Sequence, residues 1–333
     1  MTAGLRMKLL KTASLLAVMV ACALAFAAAA LAGREVGSAP GCWSPEQGVL
    51  RDGLSYRGLL SGGRMRCYLA YVPPGLDRNR AAPLVLSLHG FAANPDGQRA
   101  NARWDELADA EGFVVAYPQG SSFPLRWNIG PGTQVEGIDD VRFLRDVIDE
   151  LAGQVAIDDR RIYLNGFSNG GDMVHIAACR LADRVAAAGV VSGFAADPEG
   201  GCRPSRPMPM MAFLTGPDLG GELLPIPDWL LDRLMNVRLE RAAQPPPSPR
   251  AWAESWAERN GCQGPVVSET LARGVAQERF TGCSQEAEVV LVSVPAMGHA
   301  WPGGPELPGL GENTDAVDAT QLMWEFFVEH SLP

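Results

Sequence analysis

A serine, an acid and a histidine are the residues of this sequence whose types and spacing could do chemistry together. Ser168 stands in Gly166-Phe167-Ser168-Asn169-Gly170, a G-x-S-x-G pattern. A hydroxyl is a poor nucleophile unless it is held exposed, beside a base and beside N–H donors for a developing oxyanion. A sharp strand-to-helix turn provides this, and glycine neighbours let the backbone pass closely enough to make it. The chemistry would be acyl transfer through a covalent intermediate, which needs no cofactor. With 37 glycines in the chain the pentapeptide alone is a weak signal. Its context strengthens it: apolar residues 162–164 read as a buried strand, and a helical stretch follows to about Leu181.

The chain holds four histidines. His299 lies on a Gly-flanked loop after the apolar run 288–294, where the base of such a triad belongs. His89 reads as a structural loop residue and His175, two turns past Ser168, as a packed helix residue. His330 reads as a frayed surface position near the C-terminus. The acid is expected between serine and histidine along the chain. Asp218 directly follows the apolar run 209–214 and is the expected acid, with Glu222 and Asp228 as competitors. Donors for the oxyanion are the backbone N–H groups of Asn169 and of Phe91, which follows Leu88-His89-Gly90 after another apolar run. Trp127, in the loop 120–137, and Trp301, beside His299, are candidates to line a substrate cleft; packing within a surface loop is the alternative for Trp127. Asp139 and Asp140 suit a helix N-terminus through capping and the macrodipole.

The elements that must position these residues alternate. Strands are expected over 66–73, 83–88, 113–118, 162–164, 185–191, 209–214 and 288–294, and helices over 100–111, from Asp139-Asp140 to about Leu151, over 252–260 and over 318–330. The continuously apolar strands point to a mostly parallel central sheet with helices on both faces. Two further runs, 266–271 and 277–281, read as a hairpin.

The net charge of −10 argues against nucleic acid or an anionic membrane as partner, since both select basic surfaces. Residues 1–32 carry Arg6, Lys8 and Lys11, an Ala-rich apolar core and Ala30-Leu31-Ala32, the pattern of a cleaved signal peptide. A membrane anchor and a lipoprotein at Cys22 are weaker readings. Residues 33–333 then form a single catalytic domain, secreted or periplasmic, with no membrane association after cleavage. Six cysteines remain, an even set that suggests disulfides while leaving 15 pairings open. No zinc-ligand spacing is present, so no metal is expected.

Taken together, Leu88-His89-Gly90, Gly137-Ile138-Asp139-Asp140-Val141, Gly166-Phe167-Ser168-Asn169-Gly170-Gly171, His299-Ala300-Trp301-Pro302-Gly303-Gly304 and Trp324-Glu325-Phe326-Phe327 resemble a known group. It is the secreted polyhydroxybutyrate depolymerase-like and feruloyl esterase-like hydrolases of the α/β-hydrolase superfamily. The resemblance spans roughly residues 64–330 and implies the α/β-hydrolase fold and a serine esterase. Its substrates would be polysaccharide-linked feruloyl or acetyl esters or hydroxyalkanoate oligomers, with a polyhydroxybutyrate depolymerase proper as the alternative. A binding protein that kept the fold and lost catalysis is a remote one. The segment Phe213-Leu214-Thr215-Gly216-Pro217-Asp218 keeps the acid's place but departs from the lead-in usual in the group. The resemblance also implies a Cys262–Cys283 bridge, which would flank the expected hairpin. Cys179–Cys202 and Cys42–Cys67 are then the sequence neighbours that remain.

Overall fold

Strands buried on both faces need no polar alternation, and five of the seven-residue or shorter runs in this chain show none. The computed structural model describes residues 42, 44–46, 48–122, 124–130, 137–215, 247–295, 297–306 and 312–333. Its strands are β1 (Gly53–Ser61), β2 (Arg64–Val72), β3 (Ala82–Leu88), β4 (Val114–Pro118), β5 (Ile157–Phe167), β6 (Ala187–Val191), β7 (Met210–Leu214), β8 (Val266–Ala272), β9 (Val275–Phe280) and β10 (Val289–Ser293). They form one sheet in the order β1-β2-β4-β3-β5-β6-β7-β10-β9-β8. The run from β4 to β10 is parallel, and the antiparallel pairs β1–β2, β2–β4, β10–β9 and β9–β8 lie towards the two edges.

Helices α1 (Pro95–Ala102), α2 (Trp104–Glu111), α3 (Asp140–Ala152), α4 (Asn169–Arg180), α5 (Pro249–Arg259) and α6 (Ala319–Val328) cover both faces. On one face Leu84, Leu86, Ile162 and Leu164 of the central strands pack with Phe143, Val147, Val174, Trp252 and Trp256. On the other, Val85, Val115 and Tyr163 pack with Trp104, Met323, Trp324 and Phe327. Alternation along each strand thus feeds two cores, one per face. This mostly parallel, helix-flanked sheet is the α/β-hydrolase arrangement the sequence leads one to expect.

Several boundaries differ from those expectations. The helix expected over 100–111 is two helices, broken at Arg103, which takes a left-handed φ of 53°. Beyond the break Trp104 is fully buried, its indole N–H donating to Asn165 Oδ1 at 3.1 Å. The strand before Ser168 begins at Ile157 rather than 162, and β1 has no counterpart in the sequence reading. Asp139 is indeed the cap of α3, accepting from the Arg142 N–H at 2.9 Å. Asp140 does something else: it is buried and pairs with Arg66 at 2.8 Å.

Among the described residues three disulfides are formed: Cys42–Cys67, Cys179–Cys202 and Cys262–Cys283. The last joins the two ends of the β8–β9 hairpin and so braces the strand that feeds β10. Its two cysteines are 21 residues apart, and closing a loop of that size stabilises by about 3 kcal/mol in the chain-entropy view. Paired Cys262→Ser and Cys283→Ser changes should lower the unfolding free energy by about that amount, measured in urea on the oxidised protein. No loss of stability would refute the bracing role.

Candidate active site

Loops that leave the C-terminal ends of parallel strands converge, and open α/β sheets bind ligands at that edge. Here β3 ends at His89-Gly90-Phe91, β5 at Ser168, β6 at Ser192, β7 at Thr215, and β10 leads to the segment carrying His299. Ser168 sits between β5 and α4 with φ 52° and ψ −122°, a conformation that a residue with a side chain adopts only under constraint. The constraint is visible. Its N–H donates to Val191 O at 2.8 Å, and its carbonyl accepts from the Asp172 N–H at 2.9 Å. A Cβ on Gly166 would collide with the Gly170 carbonyl, and one on Gly170 with the carbonyls of Leu88 and His89. Both glycines of the pentapeptide are therefore demanded by close backbone approach. Ser168 itself remains partly exposed.

His299 comes to the ring of Phe167, the residue before Ser168, with ring centroids 5.0 Å apart. Its loop is tied down on both sides. The Gly298 N–H donates to Glu312 O at 2.7 Å and the Gly303 N–H to Thr314 O at 2.9 Å. Asn313 Nδ2 reaches the carbonyls of Trp301 and Gly304 at 2.9 and 2.7 Å. Trp301, expected in the cleft, is instead buried at 1% exposure. Its indole N–H donates to Thr320 Oγ1 at 3.0 Å, and that hydroxyl donates onward to Ala102 O at 2.6 Å. An apolar ring with one N–H suits an anchor that pins this loop to α6 and α1.

Trp127 is also corrected. It neither lines an open cleft nor packs at a surface, being 0% exposed. Its main-chain N–H donates to Asn169 Oδ1 and its indole N–H to His89 O, both at 2.8 Å. Asn169 opens α4, where the first N–H groups have no intrahelical acceptor and the helix dipole is positive. Phe91 is 43% exposed and stands in the loop directly beside, since Gly90 approaches Phe167 and Ser168. The expected acid Asp218 and its competitors Glu222 and Asp228 lie outside the described residues. Thr215, the last described residue before them, has its hydroxyl against that of Ser192.

Of the other three histidines, His89 and His175 are buried and His330 is half-buried. His89 is fully so, with Nδ1 2.7 Å from Gly90 O and Nε2 accepting from the Gly120 N–H at 2.9 Å. Nδ1 is therefore the protonated nitrogen of a neutral ring, and burial lowers its pKa to about 4. His175 accepts two indole N–H bonds at Nδ1, from Trp252 and Trp256, each 3.1 Å long. Its Nε2 faces Asp197 at 3.3 Å, and burial outweighs that carboxylate, holding the pKa below the ordinary value. His330 is not a frayed surface residue. It lies edge-on to Phe326 at 4.6 Å, burial lowers its pKa to about 4, and its carbonyl accepts from the Tyr163 hydroxyl at 3.0 Å. Among the described residues, His175, Cys179 and Cys202 are the group close enough to share a metal, and both sulfurs are spent in a disulfide.

Sequence reasoning missed two participants. One is the Asn169 side chain, whose signal is that an amide rather than an apolar residue follows the serine. The other is the Arg66–Asp140 pair, whose signal is a second carboxylate where one suffices for a cap.

Comparison with known proteins points to esterases. Residues 66–199 match the family described as Esterase PHB depolymerase. Feruloyl esterase B of Piromyces equi is 29% identical over 78% of this chain and 44% of its own length. The bifunctional acetylxylan esterase/xylanase XynS20E of Neocallimastix patriciarum is 37% identical over 42% of this chain and 19% of its own. The chain thus spans less than half the length of either relative. Among solved structures, the acetyl xylan esterase from Aspergillus awamori superposes with a TM-score of 0.56 at 14% identity, covering 82% of this chain and 99% of that one. That likeness is one of fold.

The buried neutral histidines have a consequence in acid. For His89 the folded pKa lies near 4 and the unfolded one near 6.5. Its contribution to stability is complete above pH 6.5 and is lost as pH falls toward 4, because the unfolded chain takes up the proton first. The shift corresponds to roughly 3 kcal/mol across that window. Urea unfolding from pH 7 to 4.5 should show a steep loss of stability that is shallower in His89→Gln. Equal slopes in the two proteins would contradict the assignment.

Proposed function

We propose that this chain, an α/β-hydrolase-fold relative of the esterases, is an exported serine esterase that hydrolyses carboxylic esters. The observation that carries the reading is the strained Ser168 turn with the His299 loop brought to its flank. In the mechanism, His299 removes the Ser168 proton as the hydroxyl attacks the ester carbonyl, and Asp218 holds the imidazole in the required tautomer. The N–H groups of Asn169 and Phe91 receive the oxyanion. The alcohol leaves with a proton from His299, and water, activated by the same base, then releases the acid and restores the serine. The positive end of α4 adds to oxyanion stabilisation, because the charge develops in line with its first N–H groups.

The substrate class we favour is polysaccharide-linked feruloyl or acetyl esters, since relatives carrying both names align with the chain. A polyhydroxybutyrate depolymerase is the second reading, favoured by the family match over residues 66–199. Methyl ferulate assayed against a soluble hydroxybutyrate oligomer separates the two. Export follows from removal of residues 1–32, and N-terminal sequencing of protein recovered outside the cytoplasm tests it.

Ser168→Ala should abolish most p-nitrophenyl acetate turnover and all fluorophosphonate labelling with the fold intact, and His299→Ala should do nearly the same, because triad members act as a unit. Near-normal turnover in His299→Ala would sink the assignment. Asp218→Asn should lower kcat by orders of magnitude with a smaller effect on KM; a larger kcat loss in Glu222→Gln or Asp228→Asn would move the acid role there.

A further inference from the structure

We infer that Trp127 sets the separation of the two oxyanion donors, acting as a positioning residue for acyl transfer; the inference rests on the serine-esterase reading above. Its two N–H groups reach two different loops. The main-chain N–H holds Asn169 Oδ1 at 2.8 Å, and Asn169 supplies one donor. The indole N–H holds His89 O at 2.8 Å, two residues before Phe91, which supplies the other. One residue, through its backbone and its rigid side chain, therefore spans the gap between the β3 loop and the start of α4.

Trp127 is itself immobilised. The next N–H, of Asn128, donates to Asp140 Oδ2 at 2.8 Å. Asp140 Oδ1 in turn takes Arg66 at 2.8 Å, and the Arg66 guanidinium lies 3.9 Å over the Phe143 ring while also reaching Gln119 O. The same loop is laced to the β3 loop twice more, by Ala92 N–H to Leu125 O at 2.8 Å and Gly120 N–H to His89 Nε2 at 2.9 Å. A buried ion pair is thus the footing, and Trp127 is the strut that stands on it. Packing alone does not account for this. Any large apolar ring could fill the space, but only an indole at this position also carries an N–H to the His89 carbonyl. Substrate contact does not account for it either, because the side chain has no exposed surface.

Two variants isolate the role. Trp127→Phe keeps the ring and the main-chain N–H and removes the bond to His89. Asn169→Ala keeps the Asn169 N–H and removes its tether. The measurements are kcat and KM for p-nitrophenyl acetate and the Ki of a trifluoromethyl ketone, whose serine adduct places an oxyanion in the hole. Deleting a donor outright costs about 10²–10³ in kcat, and displacing a reacting group by about 1 Å costs about 10². Each variant should therefore lose roughly 10- to 100-fold in kcat, with KM within about twofold and Ki raised by the same factor as kcat falls. The pH midpoints of kcat should not move, since neither change touches an acid or base. A rise in KM with kcat intact, or a kcat loss without the matching change in Ki, overturns the inference. Should Trp127→Phe unfold by circular dichroism, Asn169→Ala carries the test alone. Full turnover in Ser168→Ala would remove the serine reading and this inference with it. An inert Ser168→Ala beside wild-type kcat in both variants would remove the inference only.

Discussion

Holding a serine at φ 52° and ψ −122° costs on the order of 1–3 kcal/mol, which the surrounding chain must offset. It does so through contacts that leave almost no latitude. Val191 O takes the Ser168 N–H, while Gly170 lies against the carbonyls that end β3. Those partners belong to the two strands that flank β5. The turn therefore exists only if β3, β5 and β6 sit side by side in register, and that register is what the two buried cores hold. Sheet order, glycine placement and the exposure of one hydroxyl are a single constraint seen at three scales.

The sheet and its helices were legible because continuous apolar runs and helical stripes report burial directly, as at 83–88 and along α3. The tight turn at Ser168 and the Gly-flanked loop with His299 were legible because glycine marks geometry rather than mere polarity, whereas the cystine pairs came from the family resemblance and the cysteines it left over. What escaped was of another kind. The break at Arg103 breaks no pattern visible in sequence, since an arginine is an ordinary helix former. The burial of Trp127 and Trp301 depends on which distant carbonyl or hydroxyl meets each ring, and that of His330 on the nearby Phe326 ring, and neither composition nor periodicity encodes that. Asp140 looked like a spare helix-start acid, because its partner Arg66 lies 74 residues away in sequence.

Trp127, Trp301 and Asp140 share a trait: each carries a polar group that is buried and directed to a specific partner. Buried polar groups are costly unless satisfied, so where they are satisfied they fix orientation more tightly than apolar packing does. In this chain they hold the loops at the C-terminal edge of the sheet, whereas the apolar clusters hold the strands. The division is physically sensible. Loops have little apolar surface to bury, so hydrogen bonds from buried indoles and one ion pair give them the rigidity that oriented donors require.

The three disulfides carry a consequence for how the molecule is made. Each joins a cysteine to the next one along the described chain, and none is nested inside or threaded across another. A chain entering an oxidising compartment N-terminus first would meet each partner some two dozen residues after the first cysteine of its pair, before the next pair has appeared. Under that order of arrival each cysteine of the three pairs would meet its native partner first, and slow reshuffling of mispaired cystines would have less to correct.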